Sequence, residues 1–562
     1  MNNYNIYNEK PWLKNYPNHL NWSDTLNTSA IYNGLQKSVE LYPDRCSMIF
    51  MDKKWTYKET DKLVNKCASG LQKIGISKGD RVAIALPNTP YYIFFFHACT
   101  LLGAIVVNLN PLHTIKDMND QVNLTKPKII ITINIKNIYK KISEISERPC
   151  IEHLILCPLQ NILPLTKRIL FNIFNTYRSN KKNHKNKLIQ FNALINNQGL
   201  FKEVKINHKK DLAVLQFTGG TTGELKAAKL THANLSVNIN QMIAWNNTKI
   251  SGNENVLCIL PFFHIFGLTV SMLAPINEGS TLIIMPKFDV KESLHNIEKY
   301  RVTYLPGVPT IFGALKDSPN INKYDLTSIK LCFSGGAPLP SETKDIFEEK
   351  TGCKIIEGYG LSETSPVVTV GPIYGLHKKR SAGLPVQNTE IKIRPLDGLN
   401  KTYYNENIGE ICIKGPQLME GYWEKEKNNT TFYNDFFRSG DIGYFDKDGY
   451  LFLIDRIKDI IITNGYNIYP GKIEAAIYEH PSISEVVVIG IKDEHRGETP
   501  KAYIKLNNNK LLNKTDLISF LSDKLSPLET PKYIEFRKEI PKTIVGKLSK
   551  EALRNENDLM EM

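Results

Sequence analysis

Short apolar runs followed by small or polar residues recur along the middle of the chain. LAVLQF leads into TGGTTG, VLCILP into FFH, VTYLPGV into PT, IKLCFS into GGAPLP, and CKIIEGYG into LSETSP. Apolar runs of this length are typical of buried strands in α/β proteins, where ligands lie at the carboxyl ends of the strands. The pattern therefore predicts polar loops from five strands that converge on one crevice.

The pattern changes near residue 455. A run typical of a strand at 450–454 is followed by a hairpin-like IIIT run, a helix that begins at Pro470, and two alternating strands, EVVVIGI and KAYIKL. We therefore predict an α/β protein with a large N-terminal domain of several subdomains at 1–455, a boundary segment at 456–458, and a small C-terminal α+β domain at 459–562.

Two apolar stretches raise the question of a membrane. Residues 91–109 approach the length of a spanning helix, but His97 and Gly103 interrupt them, which favours a buried helix leading into a buried strand.

Residues 162–178 predict a helix with a basic run, NKKNHKNK, after it. One face of this helix carries Leu165, Ile169, Leu170, Ile173, Phe174 and Tyr177. The helix is expected either to lie on an anionic membrane surface or to pack on the domain with a solvated basic tail.

Composition narrows the class of protein. The chain has 562 residues, which is too long for a single typical domain. Its formal net charge is +14, but the basic residues are dispersed and no nucleic-acid-binding motif accompanies them, so no nucleic acid partner is expected. The nine cysteines are scattered, and the start lacks the apolar stretch of a secretory signal. A cytoplasmic location is expected, with peripheral contact at the inner face of the cell membrane if the helix at 162–178 binds lipid.

The first chemical signal is TGGTTGELK at residues 218–226, directly after the run LAVLQF. Glycines allow close approach of the backbone, and amides and hydroxyls donate hydrogen bonds to phosphate oxygens. The spacing of a Walker A loop is absent here and at Gly546-Lys547, which disfavours a P-loop NTPase. The stretch predicts a phosphate-binding loop with the candidates Thr218, Gly219, Gly220, Thr221, Thr222, Gly223 and Lys226.

The second signal is EGYGLSETSP at residues 357–366. Tyr359 can cover a purine face, and Glu363 can supply the oxygen ligand that Mg²⁺ needs beside phosphate. Together, the two stretches resemble the adenylate-forming (ANL) superfamily of acyl-CoA synthetases, luciferases and peptide-synthetase adenylation domains. Within it, GYGLSETSP and DRIKDIIITNGYNIYPGKIE are similar to the bacterial long-chain fatty acyl-CoA synthetases.

The resemblance extends along nearly the whole chain. PFFHIFGL at 261–268 resembles the acyl-site loop, and SGGAPL at 334–339 resembles the strip that borders the adenine and the acyl group. RSGD at 438–441 is similar to the segment whose aspartate holds the ribose hydroxyls. The stretch 455–470 resembles the hinge and the start of a mobile domain, and PKTIVGK at 541–547 resembles the closing loop of that domain.

The resemblance implies a role for each matching residue. The ATP site would also include Gly336, Ala337, Pro338, Glu357, Gly358, Tyr359, Gly360, Ser362, Asp441 and Arg456. The acyl site would be formed by His264, Phe266, Gly267 and Gly335. The catalytic residues would be Lys547, Glu363, Thr221 and His264, with Glu363 as the metal ligand and Lys458 as the pivot of the hinge. Three residues depart from the usual family pattern, namely Leu225, Ala227 and Ser439.

The implied reaction is ATP-dependent conversion of a long-chain fatty acid to acyl-AMP, followed by transfer to coenzyme A. A carboxylate must be activated first, because oxide is a poor leaving group, and positive charge from Lys547 and Mg²⁺ would bring two anions together. The C-terminal domain would then swing away before coenzyme A attacks. Alternative substrates are medium-chain or aryl acids. Alternative functions are an acyl-AMP ligase that serves a carrier protein and a catalytically silent acyl- or nucleotide-binding protein.

Overall fold

A computed structural model describes residues 10–174, 187–219, 225–246, 254–396, 408–428, 430–507, 510–543 and 546–561. Within these residues, the chain forms four β-sheets flanked by helices, which confirms the predicted α/β class. The predicted residues Gly220, Thr221, Thr222 and Gly223 lie outside the described residues.

The strands are numbered in chain order. Up to residue 219 they are β1 (Cys46–Phe50), β2 (Lys53–Thr56), β3 (Arg81–Ile84), β4 (Ile105–Asn108), β5 (Ile129–Ile133), β6 (His153–Cys157), β7 (Leu188–Gln190) and β8 (Leu212–Gly219). Next come β9 (Leu225–Thr231), β10 (Asn255–Cys258), β11 (Thr281–Ile284), β12 (Tyr304–Gly307), β13 (Leu331–Gly335), β14 (Lys354–Gly360), β15 (Val367–Val370), β16 (Leu384–Pro385) and β17 (Glu390–Arg394). The last are β18 (Gly409–Lys414), β19 (Phe432–Tyr433), β20 (Phe436–Phe445), β21 (Leu451–Arg456), β22 (Ile461–Thr463), β23 (Tyr466–Ile468), β24 (Ile483–Asp493), β25 (Gly497–Leu506) and β26 (Tyr533–Phe536).

The α-helices are numbered in the same way. They are α1 (Tyr32–Leu41), α2 (Tyr57–Lys73), α3 (Pro90–Leu101), α4 (Ile115–Thr125), α5 (Lys136–Ile145), α6 (Leu165–Phe174), α7 (Phe191–Leu194), α8 (His232–Asn246), α9 (Ala274–Asn277), α10 (Val290–Lys299), α11 (Pro309–Lys316), α12 (Ser341–Thr351), α13 (Pro470–Tyr478), α14 (Lys514–Leu521) and α15 (Lys550–Glu561). A π-helix, Gly267–Leu273, precedes α9.

Two large sheets, mostly parallel, form the N-terminal part of the described chain. The nine-stranded sheet has the order β16-β15-β14-β13-β12-β10-β11-β1-β2, and the seven-stranded sheet has the order β7-β6-β5-β3-β4-β8-β9. Their central strands are rich in Ile, Val and Leu and are buried on both faces, as in β5, where all five residues are buried. The five predicted strands are β8 in the seven-stranded sheet and β10, β12, β13 and β14 in the nine-stranded sheet.

The apolar stretch 91–109 is a buried helix followed by a buried strand, as predicted. Every residue of α3 except Leu101 is buried, and all four residues of β4 are buried. None of the described helices combines the length and the apolar character needed to span a bilayer.

The helix predicted at 162–178 begins later than expected. Residues Leu159–Ile162 form a 3₁₀ turn, and α6 begins at Leu165 because the Pro164 carbonyl accepts the first helical hydrogen bond, from the Arg168 amide. Ile162 is buried, whereas residues 165–169 are exposed. Tyr177 and the part of the basic run at 180–186 lie outside the described residues, as do the side chains of residues 170–174.

Two smaller sheets follow. The third sheet, of β17 to β21, is antiparallel, and β20 and β21 pair Asp441 with Arg456. The C-terminal sheet, of β22 to β26, has its own buried clusters, with α13 and α14 contributing to one of them and α15 to the other. The predicted IIIT hairpin (β22 and β23), the helix at Pro470 and the two long strands β24 and β25 are all present.

Candidate active site

The candidate site lies at the carboxyl edge of the nine-stranded sheet. Strands β10, β12, β13 and β14 are parallel neighbours, so the loops that follow them emerge on the same side. The loops after β10, β13 and β14 carry some of the predicted residues, namely His264, Phe266, Gly336, Ala337, Pro338, Ser362 and Glu363. The physical cause of the convergence is the shared direction of the strands, which the sequence pattern had indicated.

The phosphate-loop candidates that the structure describes belong to a β-hairpin. Strands β8 and β9 are antiparallel, and their register pairs Thr218 with Lys226 and Gly219 with Leu225. The outer edge of β9 is covered by the segment 420–423, in which the Trp423 amide donates to the Ala227 carbonyl oxygen at 2.8 Å. Both ends of the predicted loop are therefore held by backbone pairing.

Lys226 and Glu363 are linked through an aromatic residue that the sequence reasoning missed. The Tyr422 hydroxyl donates a hydrogen bond to Glu363 Oε1 at 2.7 Å, and Lys226 Nζ lies 5.3 Å from the centroid of the Tyr422 ring. Glu363 is 8% exposed, and burial raises the pKa of its carboxyl group. The charge of Arg456 opposes that rise.

Tyr359, Asp441 and Arg456 form a second cluster. The Tyr359 hydroxyl donates to Asp441 Oδ2 at 2.8 Å, and Arg456 Nε lies 3.0 Å from Asp441 Oδ1. Burial raises the pKa of the Asp441 carboxyl group, and the charge of Arg456 opposes that rise. The charges of Arg456 and Asp441 also act on Glu363, so the two clusters share one electrostatic environment.

Lys547 enters this environment from the C-terminal part of the chain. Its Cε and Nζ atoms lie 2.6 and 3.0 Å from the position that a Cβ atom would occupy on Gly336, whose φ is +84°. Glycine at 336 is therefore required both by the backbone conformation and by the passage of the lysine. Loss of hydration, reinforced by the charge of Arg456, lowers the pKa of Lys547 to about 8.

His264, a residue of the predicted acyl site, lies within electrostatic reach of Lys547. Its Nδ1 accepts a hydrogen bond from the Phe266 amide at 3.3 Å, which leaves the ring proton on Nε2. Burial, together with the charge of Lys547, lowers the pKa of His264 to about 3, so the ring is neutral. Phe266 lies against Gly335, where an added Cβ would be 3.1 Å from the Phe266 ring, and Gly267 begins the π-helix.

The remaining predicted residues line the same edge or its rim. Glu357 accepts from the Leu339 amide at 3.4 Å, and burial raises the pKa of its carboxyl group. On the two loops, Gly336, Ala337 and Pro338 are exposed, whereas Gly358, Gly360 and Ser362 are half-buried. Lys458 is exposed in the 3₁₀ turn Ile457–Asp459.

Two buried amides hold the loop that carries His264. Asn88 donates to the Leu260 carbonyl at 2.9 Å and accepts from the Phe262 amide at 2.8 Å. Gln216 donates to the Phe263 carbonyl at 3.1 Å and accepts from Asn108 at 3.0 Å. Both amides belong to the part of the chain that forms the seven-stranded sheet, so neither spacing nor charge in the sequence could assign them to this loop.

Comparisons with known proteins cover both parts of the chain. The family of AMP-binding enzymes matches residues 35–423, and the AMP-binding enzyme C-terminal domain matches residues 472–547. A long-chain-fatty-acid--CoA ligase of Bacillus subtilis (strain 168) is 39% identical over 98% of this chain and 99% of its own length. ATP-bound MatB from Rhodopseudomonas palustris has a TM-score of 0.81 at 25% identity, covering 95% of this chain and 100% of that one. The apo structure of MatB gives a TM-score of 0.72 at the same identity and coverage.

Proposed function

Because the chain belongs to the family of AMP-binding enzymes, we propose that it activates a long-chain fatty acid with ATP and transfers the acyl group to coenzyme A. The observation that carries the proposal is the location of Lys547 across Gly336, within electrostatic reach of Asp441 and Arg456. A cation at that point suits a reaction in which a carboxylate approaches a triphosphate.

In the proposed first step, the fatty acid carboxylate attacks the α-phosphate of ATP, giving acyl-AMP and pyrophosphate. Lys547 and Lys226 would offset the negative charge of the two reactants, and the neutral ring of His264 would border the acyl group without adding charge. Asp441 would hold the ribose hydroxyls, while Tyr359 would cover the adenine. No side-chain nucleophile is needed, because the acid itself attacks.

Mg²⁺ is part of this proposal as the partner of the triphosphate. At nucleotide sites, Mg²⁺ is usually held by one or two carboxylates together with phosphate oxygens. Glu363 fits that pattern, since its buried carboxyl group is oriented by the hydroxyl of Tyr422. Bound there, the ion would neutralise phosphate charge.

The domain division also belongs to the proposal. We infer a hinge at 456–458 with Lys458 as its pivot, between an N-terminal domain at 1–455 and a C-terminal domain at 459–562. The higher similarity to ATP-bound MatB than to apo MatB supports the view that the present arrangement is the one that serves the first step. Rotation about the hinge would then withdraw Lys547 and admit coenzyme A.

Pyrophosphate release tests the proposed function and separates the alternatives. The protein is mixed with ATP, Mg²⁺ and fatty acids of graded chain length, with benzoic and coumaric acids as aryl probes, and thioester formation is then followed after addition of coenzyme A. Long-chain acids should give both products fastest. If no acid gave pyrophosphate, a catalytically silent binding protein would be favoured. Pyrophosphate release without thioester formation would favour an acyl-AMP ligase.

We also propose peripheral contact of α6 with an anionic membrane. Leu165 and Ile169 are 74% and 60% exposed, and the basic residues Lys167 and Arg168 lie between them. Replacing Leu165 and Ile169 with serine should lower co-sedimentation with vesicles of anionic phospholipid while leaving pyrophosphate release from dissolved acid unchanged. Leu200, an exposed leucine outside α6, provides the matched control. Unchanged sedimentation of the double variant would exclude α6 as a membrane contact.

A further inference from the structure

The loop that carries Lys547 makes a backbone contact with the N-terminal part of the chain. The hydroxyl of Thr310 donates a hydrogen bond of 2.7 Å to the carbonyl oxygen of Gly546, 236 residues away. Thr310 is half-buried in the first turn of α11, which follows β12 at the carboxyl edge of the nine-stranded sheet. The contact therefore joins the centre of that edge to the residue directly before Lys547.

The loop fits closely against this anchor. A Cβ atom on Gly546, where φ is +83°, would lie 3.2 Å from Thr310 Oγ1 and 3.4 Å from Val308 Cγ2. Within the loop, the Gly546 amide donates to the Thr543 carbonyl at 2.8 Å and the Lys547 amide donates to Thr543 Oγ1 at 3.1 Å. The turn is thus internally bonded, and the Gly546 carbonyl is left to accept from Thr310.

The bond between Thr310 and Gly546 matters because the charged side chain of Lys547 is held in an unfavourable environment. Transferring an ammonium group from water into the cavity is unfavourable, and its methylene chain must also pass directly over Gly336. The Gly546 carbonyl and the Cα atom of Lys547 belong to one rigid peptide unit. A hydrogen bond that holds this carbonyl therefore fixes the position of the Lys547 Cα atom, to which the side chain is attached.

We propose that Thr310 is a positioning residue for Lys547, acting through the Gly546 carbonyl and only in the arrangement that forms acyl-AMP. The inference rests on the proposed function and adds a residue to it. If the C-terminal domain withdraws before coenzyme A attacks, the bond is absent in the second half-reaction. Thr310 should then matter for acid activation and not for thioester formation.

The test measures the two half-reactions separately in Thr310→Val, Thr310→Ser, Lys547→Ala and the double variant of Thr310→Val with Lys547→Ala. Valine keeps the shape of threonine and removes the hydroxyl, which should lower pyrophosphate release about five- to tenfold, the worth of one hydrogen bond. Serine should restore the rate to within about twofold. Thioester formation from supplied acyl-AMP should stay unchanged, and valine should have no further effect in the Lys547→Ala background.

Thr327→Val is the matched control, since this exposed threonine donates to Asp325 on the surface. It should leave both half-reactions unchanged. Three results would each overturn the inference: an equal loss of both half-reactions in Thr310→Val, an equally large loss when Thr310→Val is added to Lys547→Ala, or no rescue by serine. If the valine variant failed to fold, Thr310→Ala would be used to repeat the test. A wild-type protein that released no pyrophosphate would instead overturn the proposed function.

Discussion

The loop at 259–266, which carries His264, and the loop at 541–547, which carries Lys547, lie close enough for the charge of Lys547 to act on the His264 ring, but they are held in different ways. The first is bonded by the buried amides of Asn88 and Gln216, which come from the part of the chain that forms the other large sheet. The second rests on the hydroxyl of Thr310 and on the open surface of Gly336. Buried amide bonds resist separation, whereas one hydroxyl contact at a half-exposed surface does not.

This difference suits a site whose two sides have different tasks. In the proposed function, the loop at 259–266 forms the acyl side and would keep its shape through both half-reactions, because the same acyl group would stay in place. The loop at 541–547 forms the proposed cationic side, which would act while charge is being neutralised and would leave afterwards. The comparison therefore predicts that defects on the acyl side affect both half-reactions, and that defects on the cationic side affect only the first.

Removing the cation should have the largest effect. Lys547→Ala is expected to lower pyrophosphate release about 100- to 1000-fold, as for other preorganised groups that stabilise developing charge, while thioester formation from supplied acyl-AMP persists. Lys542→Ala is the control, because Lys542 is in the same loop but forms an exposed ion pair with Glu485. An equal loss of both half-reactions in Lys547→Ala would contradict the comparison.

Blocking the path of Lys547 should have the next largest effect. Gly336→Ala puts a methyl group 2.6 Å from Lys547 Cε at a φ of +84°, so acid activation should fall about 10- to 100-fold through backbone strain and obstruction. Gly352→Ala has a similar φ of +72° with nothing within 4 Å, and it should lower stability without changing the ratio of the half-reactions. If the ratio of the two half-reaction rates were the same in both variants, obstruction of Lys547 would not explain the loss in Gly336→Ala.

Loosening the acyl side should give a different signature. Asn88→Ala breaks the buried hydrogen bonds to the Leu260 carbonyl and the Phe262 amide, so both half-reactions should fall about tenfold and the thermal midpoint should drop. Asn65→Ala, which loses a side-chain bond to Asp61 along one helix, serves as the control. If Asn88→Ala lowered only acid activation, the acyl side would not differ from the cationic side in the half-reactions it affects.

A change of pH should have the smallest effect. The pKa of Lys547 is lowered to about 8, so the lysine is charged below that pH and loses its proton as the pH rises through it. Raising the pH from about 7 to about 8 should therefore lower the rate of acid activation about twofold. The Lys547→Ala variant should lack this decline, and a decline of equal size in the variant would assign it to another group.

The fold and most of the site follow from patterns that are local in the sequence. The apolar runs predicted β8, β10, β12, β13 and β14, and the motifs predicted residues that the structure brings near one another, including Tyr359, Asp441 and Arg456. The predicted start of α6 at residue 162 was wrong, because a 3₁₀ turn and Pro164 precede the helix, which begins at Leu165. Asn88, Gln216 and Tyr422 were not predicted, because each acts through a contact with a distant segment.

The sequence by itself determined which chemical groups are available and in what order they occur, since strand periodicity and loop motifs are properties of neighbouring residues. Tertiary structure alone decided that a threonine at 310 meets a carbonyl at 546, that Lys547 loses hydration, and that a tyrosine joins Lys226 to Glu363. The physical reason is that burial and hydrogen bonding depend on which surfaces pack together, and that packing joins segments far apart in the sequence.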